Sequence, residues 1–567
     1  MAIRHSPHTE TCLLLPNKKA ELHIGLIYPN TYRAGMAYLG LAVLYRIINH
    51  TPRLAARRFF LPPPGHPPLS RENKLPLGKF DLLLATVPFE NDLPNLLSML
   101  RQGGVNSSAS ARENEPLLIA GGIVPMLNPE PLAGVADAIL MGEAEAVLPP
   151  FLEAWRLSRD IAPRSRQLLF LARRLPFLYV PSLYQDTYYK DGVPKALEPL
   201  ADVPARIAAP KYRGPAAGLA SSLFLSPQAE MGDMFLQEMG RGCPHGCRFC
   251  AAGHIYRPPR LAQAGDLAPP LLDSMSNLAC KLGLVSAAVN DIKGLEDLAR
   301  EIVAQKGSFS VSSLRADTLS FGLLLSLAAC GQKTVSLAPE AGSERLRRII
   351  NKGLTDDDLD RAVKLALEAG ILNLRLYFMT GLPYENDGDA QLLLELVERL
   401  RRTMLSSARS KGRLGTLTVS LNPFIPKPFT PLQWQPMLTQ KEINQRVIRI
   451  RQGLGKLPNV RLIHESSRLS LLQGALSRGD RRLIPVLENL SRGVKKAFLA
   501  RPAEFFACRP REFGEFLPWS VVDHGISRQY LIREALKAKS GQLSPKCQPE
   551  ICRSCGACGG RLVRFTS

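Results

Sequence analysis

Short apolar blocks recur along this chain, and between them apolar residues return every three or four positions. In the first quarter the blocks are 22–28 (Leu-His-Ile-Gly-Leu-Ile-Tyr), 81–87, 116–122 and 136–142. Each is bounded by turn formers and predicts a buried strand. The run 37–48 carries apolar residues at helical spacing after a turn at 29–33. Strands alternating with helices predict an α/β fold that opens with a Rossmann-like sheet over 20–155. The ligand of such a sheet sits beyond the strand carboxyl ends, here 29–33, 88–91, 121–123 and 142–145.

The rhythm is lost over 156–230, which is rich in Pro, Ala, Arg and Ser and reads as a linker with a hairpin around 179–189. A second alternation begins at 233–239 and continues through 282–289, 309–313, 334–338, 372–378 and 416–421. The helix before 372 is well marked. Thr355 suits the N-cap, and Asp356, Asp357 and Asp358 fill the first turn. Leu359, Ala362, Val363, Ala366 and Leu367 share one face, and Gly370 follows the end. Six strands with helices between them predict a partial (β/α)6 barrel over 231–440, whose chemistry would lie at the strand carboxyl ends. Residues 441–567 form a third, basic region.

Composition narrows the class. The 567 residues are 45% apolar and 22% charged, ordinary for a globular protein of several domains. No apolar run approaches the roughly 20 residues that span a bilayer, and the first residues lack the apolar core of a secretory signal. Eleven cysteines, mostly clustered, suit metal binding in a reducing compartment better than disulfides. The expectation is a cytoplasmic protein. Its net charge is +22, and 441–567 alone hold 24 Lys and Arg against 10 Asp and Glu. Such a region can neutralise phosphates, so RNA is a candidate substrate; a solvated basic surface is the plainer reading.

The candidate chemistry starts in Arg241-Gly-Cys-Pro-His-Gly-Cys-Arg-Phe-Cys250. Cys243, Cys247 and Cys250 have the spacing Cys-x3-Cys-x2-Cys directly after the first predicted barrel strand. Three thiolates on one loop can hold three irons of a four-iron cluster and leave the fourth iron open, whereas an electron-transfer cluster uses four. Three of four zinc ligands is the bland alternative. A second cluster, Cys547-x4-Cys552-x2-Cys555-x2-Cys558, gives four thiolates interleaved with glycine. It suits an auxiliary iron–sulfur cluster or a zinc knot. Because 547–558 is a separate stretch of chain, it is expected to leave chemistry at the first loop intact.

On these residues the chain resembles the radical SAM superfamily, in which the open iron binds S-adenosylmethionine (SAM). More narrowly, it is similar to the branch with an N-terminal domain of cobalamin-binding type, and there to an uncharacterised bacterial family. The resembling runs are Ile24-Gly-Leu-Ile-Tyr-Pro-Asn-Thr-Tyr, Ala120-Gly-Gly, Met141-Gly-Glu-Ala-Glu, Tyr179-Val-Pro-Ser-Leu-Tyr, Ala338-Pro-Glu-Ala-Gly-Ser-Glu-Arg, Met379-Thr-Gly-Leu-Pro and Ser420-Leu-Asn-Pro-Phe-Ile-Pro-Lys-Pro. The resemblance implies a [4Fe-4S] cluster on Cys243, Cys247 and Cys250, reductive cleavage of SAM to a 5′-deoxyadenosyl radical, and a flavodoxin- or ferredoxin-type reductant. A small family-linked domain is a further implied partner. Phe249 would pack near adenine, and Asn290 and Asp291 would meet the SAM amino group. Ser312, Ser313 and Arg315 fall where ribose and carboxylate contacts cluster, with Glu340 and Arg345 after the next strand.

Cobalamin is where the pattern departs. A lower histidine ligand usually lies in Asp-x-His-x-x-Gly, and none of His5, His8, His23, His50 and His66 does; Asp523-His-Gly525 is in the wrong place. Weak or no cobalamin binding is therefore expected. The reading is a radical SAM enzyme with an unidentified substrate. The alternatives are a cobalamin-dependent methyltransferase, an RNA-modifying enzyme that inserts sulfur or a methylthio group, and a non-catalytic zinc-knot protein that binds nucleic acid.

Overall fold

The computed structural model describes residues 4–5, 10–494, 501–552 and 554–558. A six-stranded sheet comes first. Its strands are β1 (Leu22–Tyr28), β2 (Leu54–Phe60), β3 (Leu82–Thr86), β4 (Leu117–Gly121), β5 (Ala138–Leu140) and β6 (Leu178–Tyr179), in the order β2-β1-β3-β4-β5-β6. All pairs are parallel except β5 with β6. Helices α1 (Leu39–His50), α2 (Leu93–Gln102) and α3 (Ala144–Ser158) cover its faces. The central strands are apolar on both faces because both are covered, hence the continuous apolar blocks in the sequence.

Two parts of this sheet escape the hydrophobic pattern. Strand β2, Leu-Ala-Ala-Arg-Arg-Phe-Phe, carries two arginines and so reads poorly as a buried strand. Arg58 is nevertheless 1% exposed. Its guanidinium meets Glu10 and Glu72, both at 2.6 Å, and lies 3.6 Å from the Phe224 ring centre. Burial is tolerated because the charge is paired and its donors are used. The second part is β6. The expected boundary at 155 falls short of it, and this fully buried strand closes the sheet edge that β5 would otherwise expose.

The barrel follows with β7 (Phe235–Glu238), β8 (Leu282–Val285), β9 (Phe309–Val311), β10 (Thr334–Glu340), β11 (Asn373–Thr380), β12 (Leu417–Pro423) and β13 (Val460–His464). Strands β7 to β9 form one parallel sheet and β10 to β13 another, linked by a parallel bridge between Leu314 and Leu337. Helices α4 (Ala264–Leu278), α5 (Leu295–Ala304), α6 (Phe321–Ala329), α7 (Asp356–Glu368), α8 (Asp387–Lys411) and α9 (Gln440–Leu454) alternate with them. Helix α7 starts in a capping box of Thr355 and Asp358, and Gly370 follows with φ +88°. The seventh strand, β13, lies past the expected boundary at 440. Its Arg and His leave it half exposed and without a clear apolar block.

A helix near the C-terminus, α10 (Arg528–Ser540), leads into 541–558, which has no helix or strand among its described residues. No helix among the described residues is long and apolar enough to cross a membrane.

The Arg58 cluster gives a test. Burial would push the Glu10 carboxyl up, but the Arg58 charge and hydrogen bonds from Arg58, Tyr32 and Cys12 outweigh it and hold it at about 2, against an ordinary 4.5. A carboxyl lowered on folding adds stability above its unfolded pKa and loses it as pH falls through the folded one. Glu10→Gln should therefore cost about 3 kcal/mol near neutral pH. The gap to wild type in denaturant midpoints should close as pH falls from 4.5 towards 2. A gap that is constant over that range would exclude the ion pair as its source.

Candidate functional site

Three cysteines occupy the loop between Gly240–Arg241 and Arg260–Leu261, two short segments that pair antiparallel after β7. Pairing closes the loop at its base, so the thiols project at the carboxyl end of the first barrel strand. Gly242 has φ +77°, and a Cβ there would sit 2.8 Å from the Tyr256 carbonyl oxygen. Within the loop the Cys250 N–H donates to the Cys247 carbonyl at 3.2 Å. His254, fully buried one turn on, bonds the Cys250 carbonyl through Nδ1 at 2.8 Å.

The surroundings are cationic. Burial, then the Cys247 charge, push Cys243 up to about 12 and Cys250 up to about 11. Thiols raised in this way do not ionise unaided; a bound metal or metal cluster reverses this. Arg315 and Lys352 supply positive charge toward Cys247. Arg315 is oriented by Asp317 at 2.9 Å, and Lys352 by Glu340 at 3.1 Å. Among the described residues, no three His, Cys, Asp or Glu side chains converge closely enough to hold a single ion. A four-iron cubane sets its thiolates wider apart than one ion with bonds of about 2.3 Å does. The donor set, its burial and its cationic rim fit such a cluster.

Most of the expected site residues gather here. Phe249 packs against a small cluster that includes Ala341, Ile350 and Leu382. Asp291 accepts from His245 Nε2 at 2.8 Å. Burial would raise the Asp291 carboxyl, but the His245 hydrogen bond and the His245, Lys546 and Arg315 charges hold it low. Asn290 pairs with both backbone groups of Arg315 at 3.4 Å. Ser312 donates to the Ser286 carbonyl at 3.1 Å. Two residues do not join. Ser313 is exposed, and Arg345 turns away to bond the Tyr384 carbonyl and Asp389 at the start of α8. Arg345 is the first basic residue after β10 in sequence, but Lys352 is the one that reaches the loop.

A cavity of about 440 Å³ opens between this loop and the first domain. One end is lined by Arg241, Gly242, Ala252 and Tyr256. The other runs between the sheet and helices α1 and α3, past Leu84, Ile119, Leu140 and Leu148. Both sheets thus present their carboxyl ends to one space, as the positions of their loops in sequence imply.

Charge fixes the two domains across the cavity mouth. Arg241 bonds Glu143 at the N-cap of α3, Glu145 in its first turn, and Glu238 of β7, with contacts of 2.5 to 2.9 Å. Arg260 also bonds Glu143. Burial would raise Glu143, but the two guanidiniums hold its carboxyl low. The motif Met141-Gly-Glu-Ala-Glu holds these acids, yet sequence alone gave them no partner.

Residues 40–181 match a model described as the N-terminal region of radical SAM proteins, and 238–397 match that of the radical SAM superfamily. The chain belongs to the radical SAM superfamily. It is 30% identical over 474 residues to an uncharacterized protein of Methanocaldococcus jannaschii, covering 82% of this chain and 90% of that one. In fold it is similar to the radical SAM methyltransferase TsrM of Kitasatospora setae, solved with cobalamin and a [4Fe-4S] cluster. Identity there is 14%, coverage 84% of this chain and 99% of that one, and the TM-score 0.51. A second TsrM structure, with tryptophan and a SAM analogue, covers 73% and 75% at 14% identity and a TM-score of 0.47. This radical SAM enzyme uses a [4Fe-4S] cluster and SAM, and it needs a reductant.

The clamp can be tested apart from chemistry. Arg241→Ala would leave three carboxylates facing one another with Arg260 alone between them. Breaking a buried pair costs about 3–5 kcal/mol. The apparent melting temperature should fall, and limited proteolysis should cut sooner in the linker. Arg241→Lys should restore little, because an ammonium cannot fork onto three carboxylates. Full rescue by lysine would show that charge alone is enough.

Proposed function

We propose that Cys243, Cys247 and Cys250 ligate the cluster and that the chemistry begun there acts on a ligand in the interdomain cavity. We further propose that the inner arm of the cavity receives the tail of a cobalamin held without a histidine, which makes methyl transfer the reaction. One observation carries this: the cavity is continuous from the cysteine loop to a slot between the sheet and helices α1 and α3. Gly121 leaves the slot open, since a Cβ there would meet nothing nearer than 3.9 Å.

The missing histidine favoured weak binding, and no histidine lines the cavity among the described residues. Burial offers another source of affinity. Apolar surface removed from water contributes about 25 cal/mol per Å², so a flat heteroaromatic tail in this slot does not need a coordinate bond. The cobalamin in the similarly folded TsrM structure supports the reading by analogy.

When bound, the cluster supplies the electron that cleaves SAM reductively. Cobalamin, when bound, supplies methyl-transfer chemistry. The chain's own part is to hold and exclude. Asp291, kept ionised by His245, offers a carboxylate to the SAM amino group. Arg315 and Lys352 balance the thiolates, and Tyr38, Tyr256 and the Arg241 clamp wall the cavity from water. We assign electron delivery to a flavodoxin- or ferredoxin-type protein and the enzyme to the cytoplasm, where thiols stay reduced. RNA as the methyl acceptor rests only on the basic charge of 441–567.

Replacing any of Cys243, Cys247 or Cys250 with alanine should abolish 5′-deoxyadenosine formation after dithionite reduction and leave a soluble protein. Wild-type yield from any one of the three would sink the ligand assignment.

For the cavity, wild-type protein reconstituted with hydroxocobalamin should retain a stoichiometric amount through gel filtration. Gly121→Leu should retain none, while uncoupled SAM cleavage is unchanged. Wild-type protein with full iron but no retained cobalamin would reject the methyltransferase reading and leave the cavity to a substrate.

A further inference from the structure

The second cysteine cluster does not stand apart from the first. The Cys547 N–H donates to the Pro244 carbonyl, inside the SAM-cluster loop, at 2.7 Å. Asn351 bridges the two segments: its Nδ2 donates to the Gly246 carbonyl at 3.0 Å, and its Oδ1 accepts from the Ser544 N–H at 2.8 Å. Arg248, between Cys247 and Phe249, is wholly buried and donates to the Gln542 carbonyl at 2.6 Å. Lys546 lies 3.6 Å from Asp291, which in turn holds His245. Two loop carbonyls, a loop arginine and the loop histidine's partner thus all depend on 542–547.

That segment has little of its own to keep it in place. Among its described residues, 541–558 forms no helix or strand, only irregular backbone, bends and turns. Cys555 and Cys558 are buried, and the Cys555 carbonyl accepts from the Ser527 N–H at 2.9 Å, just before α10. Cys547 and Cys552 are half buried beside them. Four thiols on a segment without helix or strand are the usual donor set for a metal that supplies the rigidity the backbone lacks.

We propose that Cys547, Cys552, Cys555 and Cys558 hold an iron–sulfur cluster, whose thiolates stand wider apart than those around a single ion, and that it fixes the shape of the SAM-cluster loop. The four cysteines are positioning residues, acting through Cys547 N–H, Ser544 and Gln542 on the loop that carries Cys243, Cys247 and Cys250. The proposal does not depend on what fills the interdomain cavity. It replaces the expectation that 547–558 leaves SAM cleavage untouched.

The test uses the full chain, reconstituted anaerobically without cobalamin. The variant Cys552→Ala/Cys555→Ala/Cys558→Ala keeps Cys547 and its backbone bond. It should lose about four irons per chain; loss of about one zinc with iron unchanged would overturn the iron–sulfur assignment. The remaining cluster should no longer change its EPR spectrum on addition of SAM, and SAM cleavage should fall about 10- to 100-fold, as when outer partners of a metal site are removed. Asn351→Ala removes the bridge and no thiol. It should keep the full metal content yet weaken the SAM-induced EPR change and raise the KM for SAM. Unchanged iron and zinc in the triple variant would overturn the metal centre. Loss of metal with wild-type EPR response and cleavage would overturn its positioning role. If the triple variant does not fold, a wild-type SAM response in Asn351→Ala overturns that role.

Discussion

Arg241 stands one glycine before the first cysteine of the loop and forks onto three carboxylates from two domains. Everything at the centre of the molecule depends on that contact. It sits at the paired base of the cysteine loop and sets the loop against the N-terminal turn of α3. With Arg260 it neutralises most of the negative charge that Glu143, Glu145 and Glu238 would otherwise bring to a buried interface. The two parallel sheets can then face one another across a single cavity. Without the paired charges, the same acids would drive the carboxyl ends of the two sheets apart.

Parallel strands announce themselves when both faces are covered and apolar. Strands β1, β3, β4 and β8 come nearest to that kind, whereas β10, β11 and β12 alternate buried apolar with half-buried or exposed positions; apolar residues still locate all seven within a few residues. β2 is hidden because its charge is solved in three dimensions by Glu10, 48 residues away in sequence, and by Glu72. β13 is hidden because it is an edge strand with half-exposed side chains. The three loop cysteines were legible because chemistry fixes their spacing locally. Lys352 was not, since it enters from a turn beyond a helix, and nothing in a run of sequence points it at Cys247. Contacts between Pro244 and Cys547, 303 residues apart, lie further still from what a pattern can carry.

The charge around the loop explains one irregularity in β10. Its pairing with β11 slips between Leu337 and Glu340, across Ala338-Pro339, and Glu340 ends the strand at φ +70°. A non-glycine residue held there is strained, and a bulge re-aims the side chain that follows it. The side chain so re-aimed is the one that bonds Lys352 at 3.1 Å. Burial would tend to discharge Lys352, but the Glu340 charge beside it, and negative charge at Cys247, keep it protonated. A lysine fixed by a carboxylate needs no reorganisation to meet negative charge in the loop, whereas a free one would have to lose rotamer freedom first. Arg315 is fixed in the same manner by Asp317, beside β10, and donates to the Lys352 carbonyl at 3.0 Å. The strain at Glu340 therefore belongs with the thiols, and the bulge places one cation where three sulfur ligands would bring negative charge together.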